Sequence, residues 1–383
     1  EEAAYLSLLI GAVEEAIVAL GVAPDYVPGT IRVILVLENP RAVFRVHEMM
    51  DALYPYFAGA SLGWHDYLAS TARLFAHDPQ YSIPVKADPD IVIKHIKESH
   101  VMLADVVGAR GGLKIGGMYG ILPSSRELAD PSMQVTLIGY VRDVVTQLKR
   151  GLDGFWVAHP DFVRIGIAIV QAWRSDALPA LISALILDPA SAAELEAFVA
   201  GPDIDGLAVD DPKYPRALLA ADVGVSNVVA NSDEAEVRYN IFQALQYLAD
   251  WLVGNGCVAL PTTVRGVAVR VMDDLATTER SRWELWAELF HGRVDVYDYL
   301  RFVEEELNYI RRDKTDGLKA VQVKWARAEQ WYPVAANILL LLRLLLDVFK
   351  GGRNALQTLH QRQLLRRPRH TPSYLRHFHL HTV

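Results

Sequence analysis

Apolar residues recur at helical spacing over residues 1–20 and stop at Gly21, and Pro24 and Pro28 close the connection that follows. The pattern then changes to IRVILVLEN (31–39), a nearly continuous β-branched and aliphatic run of the kind found in a parallel strand covered on both faces. A helix over 41–57 and a short strand in SLGWHDY (61–67) are predicted next. The alternation continues with a helix over 90–110 and a strand in LKIGGMYGIL (113–122) that enters a glycine-rich turn. A helix over 133–150, a strand in FWVAH (155–159) and a helix over 161–174 complete it. Strands alternating with helices predict βαβ units and a parallel sheet. Acids and histidines at the strand ends point to a barrel, whose sites lie at the C-terminal ends of its strands. About five strands are legible, whereas a closed barrel of this type has eight.

Beyond residue 175 the strand signal fades. Residues 176–350 carry helical periodicity, interrupted by GPDIDG (201–206), GNG (254–256) and the Pro-Thr-Thr region (261–263). The expected organisation is therefore a barrel portion over 1–175, a helical domain over 176–350 and a basic, histidine-rich tail over 351–383. The most apolar stretch, NILLLLRLLLDVF (337–349), is too short for a bilayer span and contains Arg343 and Asp347. It reads as a buried helix, and no membrane association is expected.

Composition narrows the function. The chain has 383 residues, 51% hydrophobic and 22% charged, which suits one large domain with a smaller one. A formal net charge of −8 argues against non-specific nucleic-acid binding. The single cysteine, Cys257, excludes an intrachain disulfide framework and suits a reducing, cytoplasmic setting. The opening EEAAYLSLL lacks the basic segment of a signal peptide.

Two adjacent acids in VMDDLAT (271–277), Asp273 and Asp274, pose a choice, because neighbouring side chains diverge in any regular backbone. Glu38 ends the first strand before Asn39-Pro40, on the face it shares with Arg32, Ile34 and Val36. An unpaired carboxylate there costs several kcal/mol, on the order of a desolvated charge, so it needs a cation. Asp66 repeats the situation after the next strand. Two carboxylates at neighbouring strand ends form the sparse oxygen site that Mg²⁺ prefers. Backbone N–H groups near Trp64 to Asp66, approached through Gly63, can hold a small carboxylate. The structural alternative pairs Glu38 with Arg32 or Arg41 and makes Asp66 a helix cap.

The run PGTIRVILVLENPRAVFRVHEMMDAL resembles the segment of malate synthases with GTIR, an aliphatic strand, a glutamate and a helix. SLGWHDY, LKIGGMYGILP, DGFWVAHPDFV and WLVGNGCVAL…VMDDLATTERSRWELW are similar to later motifs of that family, in family order from about residue 25 to 290. The resemblance implies a TIM (β/α)8-type barrel, lacking its first strands in this chain, followed by a helical domain. It implies an acyltransferase that condenses acetyl-CoA with glyoxylate and hydrolyses the product to malate and CoA, as in the glyoxylate cycle. Carried over, Glu38 and Asp66 match the Mg²⁺ ligands; Gly63, Trp64 and His65 match the loop that holds the glyoxylate carboxylate. The catalytic aspartate falls on Asp274, and Asp273 replaces a glutamate. Met272, Pro123, His159 and Pro160 are CoA-side candidates, although a plain turn and a structural histidine fit Pro123 and His159 equally well. The family's arginine, in an RPRGWH-like strand upstream of GTIR, has no counterpart here, and RRPRH (366–370) is in the wrong place.

Cys257 reads by default as a small buried packing residue. His377, His379 and His381 alternate like a metal clip on the tail. A related malyl-CoA or citramalyl-CoA lyase would share the Glu/Asp pair; a degenerate homologue would keep the fold for binding alone.

Overall fold

A computed structural model describes residues 1–86, 89–208, 210–214, 218, 229–251 and 254–312. The expected helix at 337–349 and the tail with His377, His379 and His381 lie outside the described residues. The first helix, α1 (Glu2–Leu20), ends at Gly21, whose φ of 60° is the left-handed cap that favours glycine. The alternating region then supplies β1 (Val33–Leu37), α2 (Pro40–Phe44), α3 (Val46–Leu53), β2 (Phe57–Leu62), α4 (Trp64–Leu74), α5 (Pro89–Gly108), β3 (Leu113–Tyr119), β4 (Ile121–Leu122), α6 (Pro131–Lys149), β5 (Gly154–Val157) and α7 (Asp161–Arg174). Two expectations need correction here. The predicted 41–57 helix is two helices, and the predicted 61–67 strand is the end of β2 followed by the start of α4.

Strands β1, β2, β3 and β5 pair side by side, all parallel, in that order. Their stops are written locally. Asn39 accepts a hydrogen bond from the Ala42 amide at 2.9 Å and Pro40 opens α2, so the strand ends where the helix is capped. Asp130 with Pro131 repeats the device at α6. On one face, α2, α5, α6 and α7 cover the sheet, with Leu37, Leu62, Tyr67 and Leu103 packed in one core and Leu137, Val141 and Ile169 in a second. On the other face, Val36 lies in register with Ser61, and Trp156 Nε1 donates to Ser61 Oγ at 3.2 Å. That face is open: Val36 is 43% and Trp156 46% exposed. A parallel sheet is ordinarily covered on both faces; among the described residues the four βα units form an arc of a barrel.

After α8 (Leu178–Leu185) and α9 (Pro189–Ala200), the C-terminal half holds α10 (Glu234–Trp251), α11 (Leu275–Phe290) and α12 (Val296–Arg312). It is not wholly helical. β6 (Cys257–Val264) and β7 (Val267–Asp274) form an antiparallel hairpin joined by Arg265 and Gly266, whose φ values of 50° and 77° suit a two-residue primed turn. β4 adds to the outer edge of β7, with Ile121 opposite Val271, so the hairpin is stitched to the turn that follows β3.

α1 is apolar enough in composition to cross a membrane, with a mean hydropathy of 1.8, yet it is tied to the barrel portion. Its Glu14 accepts from Tyr26 Oη at 2.5 Å, the Gly29 amide at 2.8 Å and Tyr56 Oη at 3.0 Å.

Candidate functional site

Glu38 follows β1 directly and leans against the turn between β2 and α4. A Cβ on Gly63 would lie 2.5 Å from Glu38 Cγ and 2.9 Å from Oε1, so only glycine leaves room for the Glu38 side chain in this position. Gly63 also donates its amide to Leu37 O at 3.1 Å, which locks the two strand ends together. Asp66 stands in the first turn of α4, not on a strand end. Nor is it the helix cap, because Gly63 occupies that position and no side chain caps the helix. The first intrahelical bond is Tyr67 N to Gly63 O. The amides of Trp64, His65 and Asp66 are therefore the open donors of a helix N-terminus, suited to an anion.

The third carboxyl arrives from the hairpin. Asp274 is the last residue of β7 and the N-cap of α11, where its Oδ1 accepts from the Thr277 amide at 3.2 Å while Thr277 Oγ1 accepts from the Asp274 amide at 2.9 Å. α11 packs along α4, which brings Asp274 to the neighbourhood of Glu38 and Asp66. Partial burial and then the Asp274 charge push the Glu38 carboxyl up. Burial pushes Asp66 up to about 6, with Glu38, Asp274 and Glu279 adding repulsion. No cation among the described residues offsets either group. Arg32 instead donates to Gly29 O and, at 2.9 Å, to Ile31 O. Glu38 forms no ion pair with Arg32 or Arg41 among the described residues, and no arginine acts on its carboxyl. Glu279, one turn into α11, is a contributor that sequence reading missed; nothing but its helical distance from Asp274 could have signalled it.

Asp273 points the opposite way. It is 1% exposed and accepts from Gln243 Nε2 at 2.7 Å. The divergence expected of adjacent residues thus separates a site carboxyl from a buried one. His65 Nδ1 is buried without a partner among the described residues, and desolvation keeps its imidazole neutral. His159 accepts the Asp161 amide at 3.2 Å on Nδ1, the contact of a turn histidine. Met272 donates its amide to Gly120 O at 2.8 Å, and Pro123 follows β4, so these two sit at the hairpin seam. Pro160 precedes α7 as its N-cap residue. Cys257 pairs with Asp274 across the hairpin and is exposed, contrary to its expected burial. Among the described residues, no three His, Cys, Asp or Glu side chains gather as a metal-binding group. The carboxyl pair Glu38 and Asp66 is the most that protein atoms provide.

A parallel βα arc with Glu38 after one strand and Asp66 opening the helix after the next, beside a hairpin that brings in Asp274, defines a barrel-type protein with a carboxylate site. Residues 12–177 match the family model described as malate synthase, TIM barrel domain, and residues 231–340 match malate synthase, C-terminal. The chain belongs to the malate synthase family. Malate synthase of Oryza sativa subsp. japonica is 28% identical over 266 residues, 70% of this chain and 41% of the relative. Malate synthase A of Escherichia coli is 26% identical over 268 residues, 69% of this chain and 42% of the relative. The Myxococcus xanthus malate synthase is 26% identical, over 69% of this chain and 41% of the relative. The chain thus spans about two fifths of the length of these relatives.

Proposed function

We propose that this chain carries malate synthase chemistry: condensation of acetyl-CoA with glyoxylate, then hydrolysis of the malyl thioester to malate and CoA. The observation that carries the reading is that Glu38, Asp66 and Asp274 lie within reach of one another's charge beside the N-terminus of α4, with no cation among the described residues to offset Glu38 and Asp66. Unbalanced carboxyls with raised proton affinity fit a divalent cation, and Glu38 and Asp66 would hold Mg²⁺. Bound there, Mg²⁺ would polarise the glyoxylate aldehyde as a Lewis acid.

The N-terminus of α4, at Trp64, His65 and Asp66, holds the glyoxylate carboxylate through backbone N–H groups. Asp274 takes a proton from the acetyl methyl; the resulting carbon nucleophile bonds to the aldehyde carbon, whose oxygen becomes the hydroxyl after protonation. Water then adds to the thioester carbonyl and the thiol leaves, giving the second carboxylate of malate. Positioned proton transfer of this kind contributes about 10²–10⁴-fold. The capping box fixes the Asp274 backbone and engages one carboxylate oxygen, leaving the second to act as base. Pro123, His159, Pro160 and Met272 are assigned to the CoA side. The match of residues 231–340 to the malate synthase C-terminal model favours the synthase over a lyase.

The test follows free thiol on adding acetyl-CoA, glyoxylate and Mg²⁺ to wild type and to Asp274→Asn. Magnesium-dependent release that drops at least 10²-fold in the variant is expected. Folded wild type that releases no thiol overturns the reading.

A further inference from the structure

Behind the site lies a buried ionic layer that the proposed reaction does not use. The segment 81–86, between α4 and α5, threads against α10 and α11. Asn231 donates to Ile83 O at 2.8 Å, and Arg280 donates to Pro84 O. At the end of the segment, the Lys86 ammonium donates to Ser281 Oγ at 2.7 Å and to Gln243 Oε1. The other end of the same Gln243 amide donates to Asp273 Oδ1 at 2.7 Å. The orientation of that amide is forced, because an ammonium only donates and a carboxylate only accepts. Ser281 is within 2.7 Å of both Gln243 Oε1 and Asn240 Oδ1, which holds the bridge from below.

We propose that the hydrogen-bonded chain Lys86–Gln243–Asp273 is a positioning device that sets the β7–α11 corner, and with it Asp274, over Glu38 and Asp66. Lys86 belongs to the barrel portion, Gln243 to α10 and Asp273 to β7, so the chain of bonds joins three separate pieces at the residue next to the base. Asp273 is 1% exposed; the Lys86 ammonium beyond the amide is the charge that most favours its ionised form, with Arg280 a lesser one. The other charges acting on Lys86 and Asp273 are Arg280 and Glu284 on α11, Glu236 on α10 and Asp274 at the end of β7. None of Lys86, Gln243 and Asp273 touches the reacting atoms; they act through the backbone of Asp274. The role in catalysis rests on the proposed function, but the bracing itself does not.

The test is a double-mutant cycle read two ways. Lys86→Met removes the ammonium and leaves the Asp273 charge buried without it; adding Asp273→Asn removes that charge. Amide hydrogen exchange at residues 274–278 is expected to rise more than fivefold in Lys86→Met and to fall back below fivefold in the double variant. A smaller rise, or effects that simply multiply, overturns the proposal, since independent sites do not couple. Gln243→Met breaks the bridge without changing charge and must also raise exchange at 274–278 more than fivefold, which decides the matter if Lys86→Met does not fold. Thiol release is measured alongside: kcat falls in Lys86→Met with KM for acetyl-CoA unchanged, and a risen KM with unchanged kcat overturns the positioning role. Wild type that releases no thiol defeats the reaction reading alone, because the exchange cycle still decides the brace.

Discussion

Replacing Gly63 with alanine separates function from stability in this protein. The added methyl would sit 2.5 Å from Glu38 Cγ, 2.9 Å from Oε1 and 3.2 Å from Cδ. Carbon atoms settle about 3.5–4.0 Å apart, so something must yield by about 1 Å. The backbone does not resist the change, since Gly63 has φ −90°, which any residue adopts. The side chain that yields is Glu38, which is exposed and swings toward solvent at little cost. Loss of folding free energy is therefore expected to stay below about 1 kcal/mol, the small end of overpacking effects. The site fares differently: a reacting geometry displaced by about 1 Å loses on the order of 10²-fold in rate. The assays are thiol release, Mn²⁺ binding by calorimetry and the urea midpoint. Gly63→Ala with activity and metal affinity within threefold of wild type would refute the placement of Glu38 in the site. A large fall in the urea midpoint would refute the claim that Glu38 moves freely.

Stability should decline from about pH 4 to pH 7.5, the raised buried carboxyls outweighing the opposite trend of the buried His65 and His100. Burial raises the Asp273 carboxyl from 3.8 to about 6, so the native state binds the extra proton between those values and stability falls as pH rises through them, by about 3 kcal/mol. Glu284 is raised further by burial and by Glu236, which extends the decline toward neutral pH, while Lys86 is lowered by burial and restores stability only in alkali. A urea midpoint that climbs from pH 5 to 7.5 would contradict this; Glu284→Gln should flatten the decline. Asp274→Asn keeps a good N-cap, so its melting temperature is expected to stay close to wild type while thiol release is lost. Glu14→Ala removes the acceptor shared by Tyr26, Gly29 and Tyr56, and limited proteolysis should then cut within residues 1–25 first; unchanged cleavage sites would show that α1 is held by packing instead.

Much of the architecture was readable because it is coded locally. The aliphatic run of β1, its stop at Asn39-Pro40 and the helix at 161–174 each depend on neighbours a few residues away, and each lies where the sequence pattern puts it. The β6–β7 hairpin was missed although its signal was present: Val267, Val269 and Val271 alternate after Arg265-Gly266. The surrounding helical periodicity masked it, and with it the fact that Asp274 ends a strand.

The candidate acids were named from sequence through strand-end position and motifs, and Asp66 proved to open α4 instead of ending a strand. Their state was not. That Glu38 and Asp66 repel one another and Asp274, that Gly63 is the contact surface of Glu38, and that Asp273 turns inward to Gln243 and Lys86 all follow from segments about 25 to 240 residues apart in the chain being pressed together. Local patterns of apolar and polar residues set the elements because hydrogen bonding and side-chain period act over a few residues. Proton affinity and charge balance depend on desolvation and on which charges become neighbours, and only the packed tertiary structure decides those.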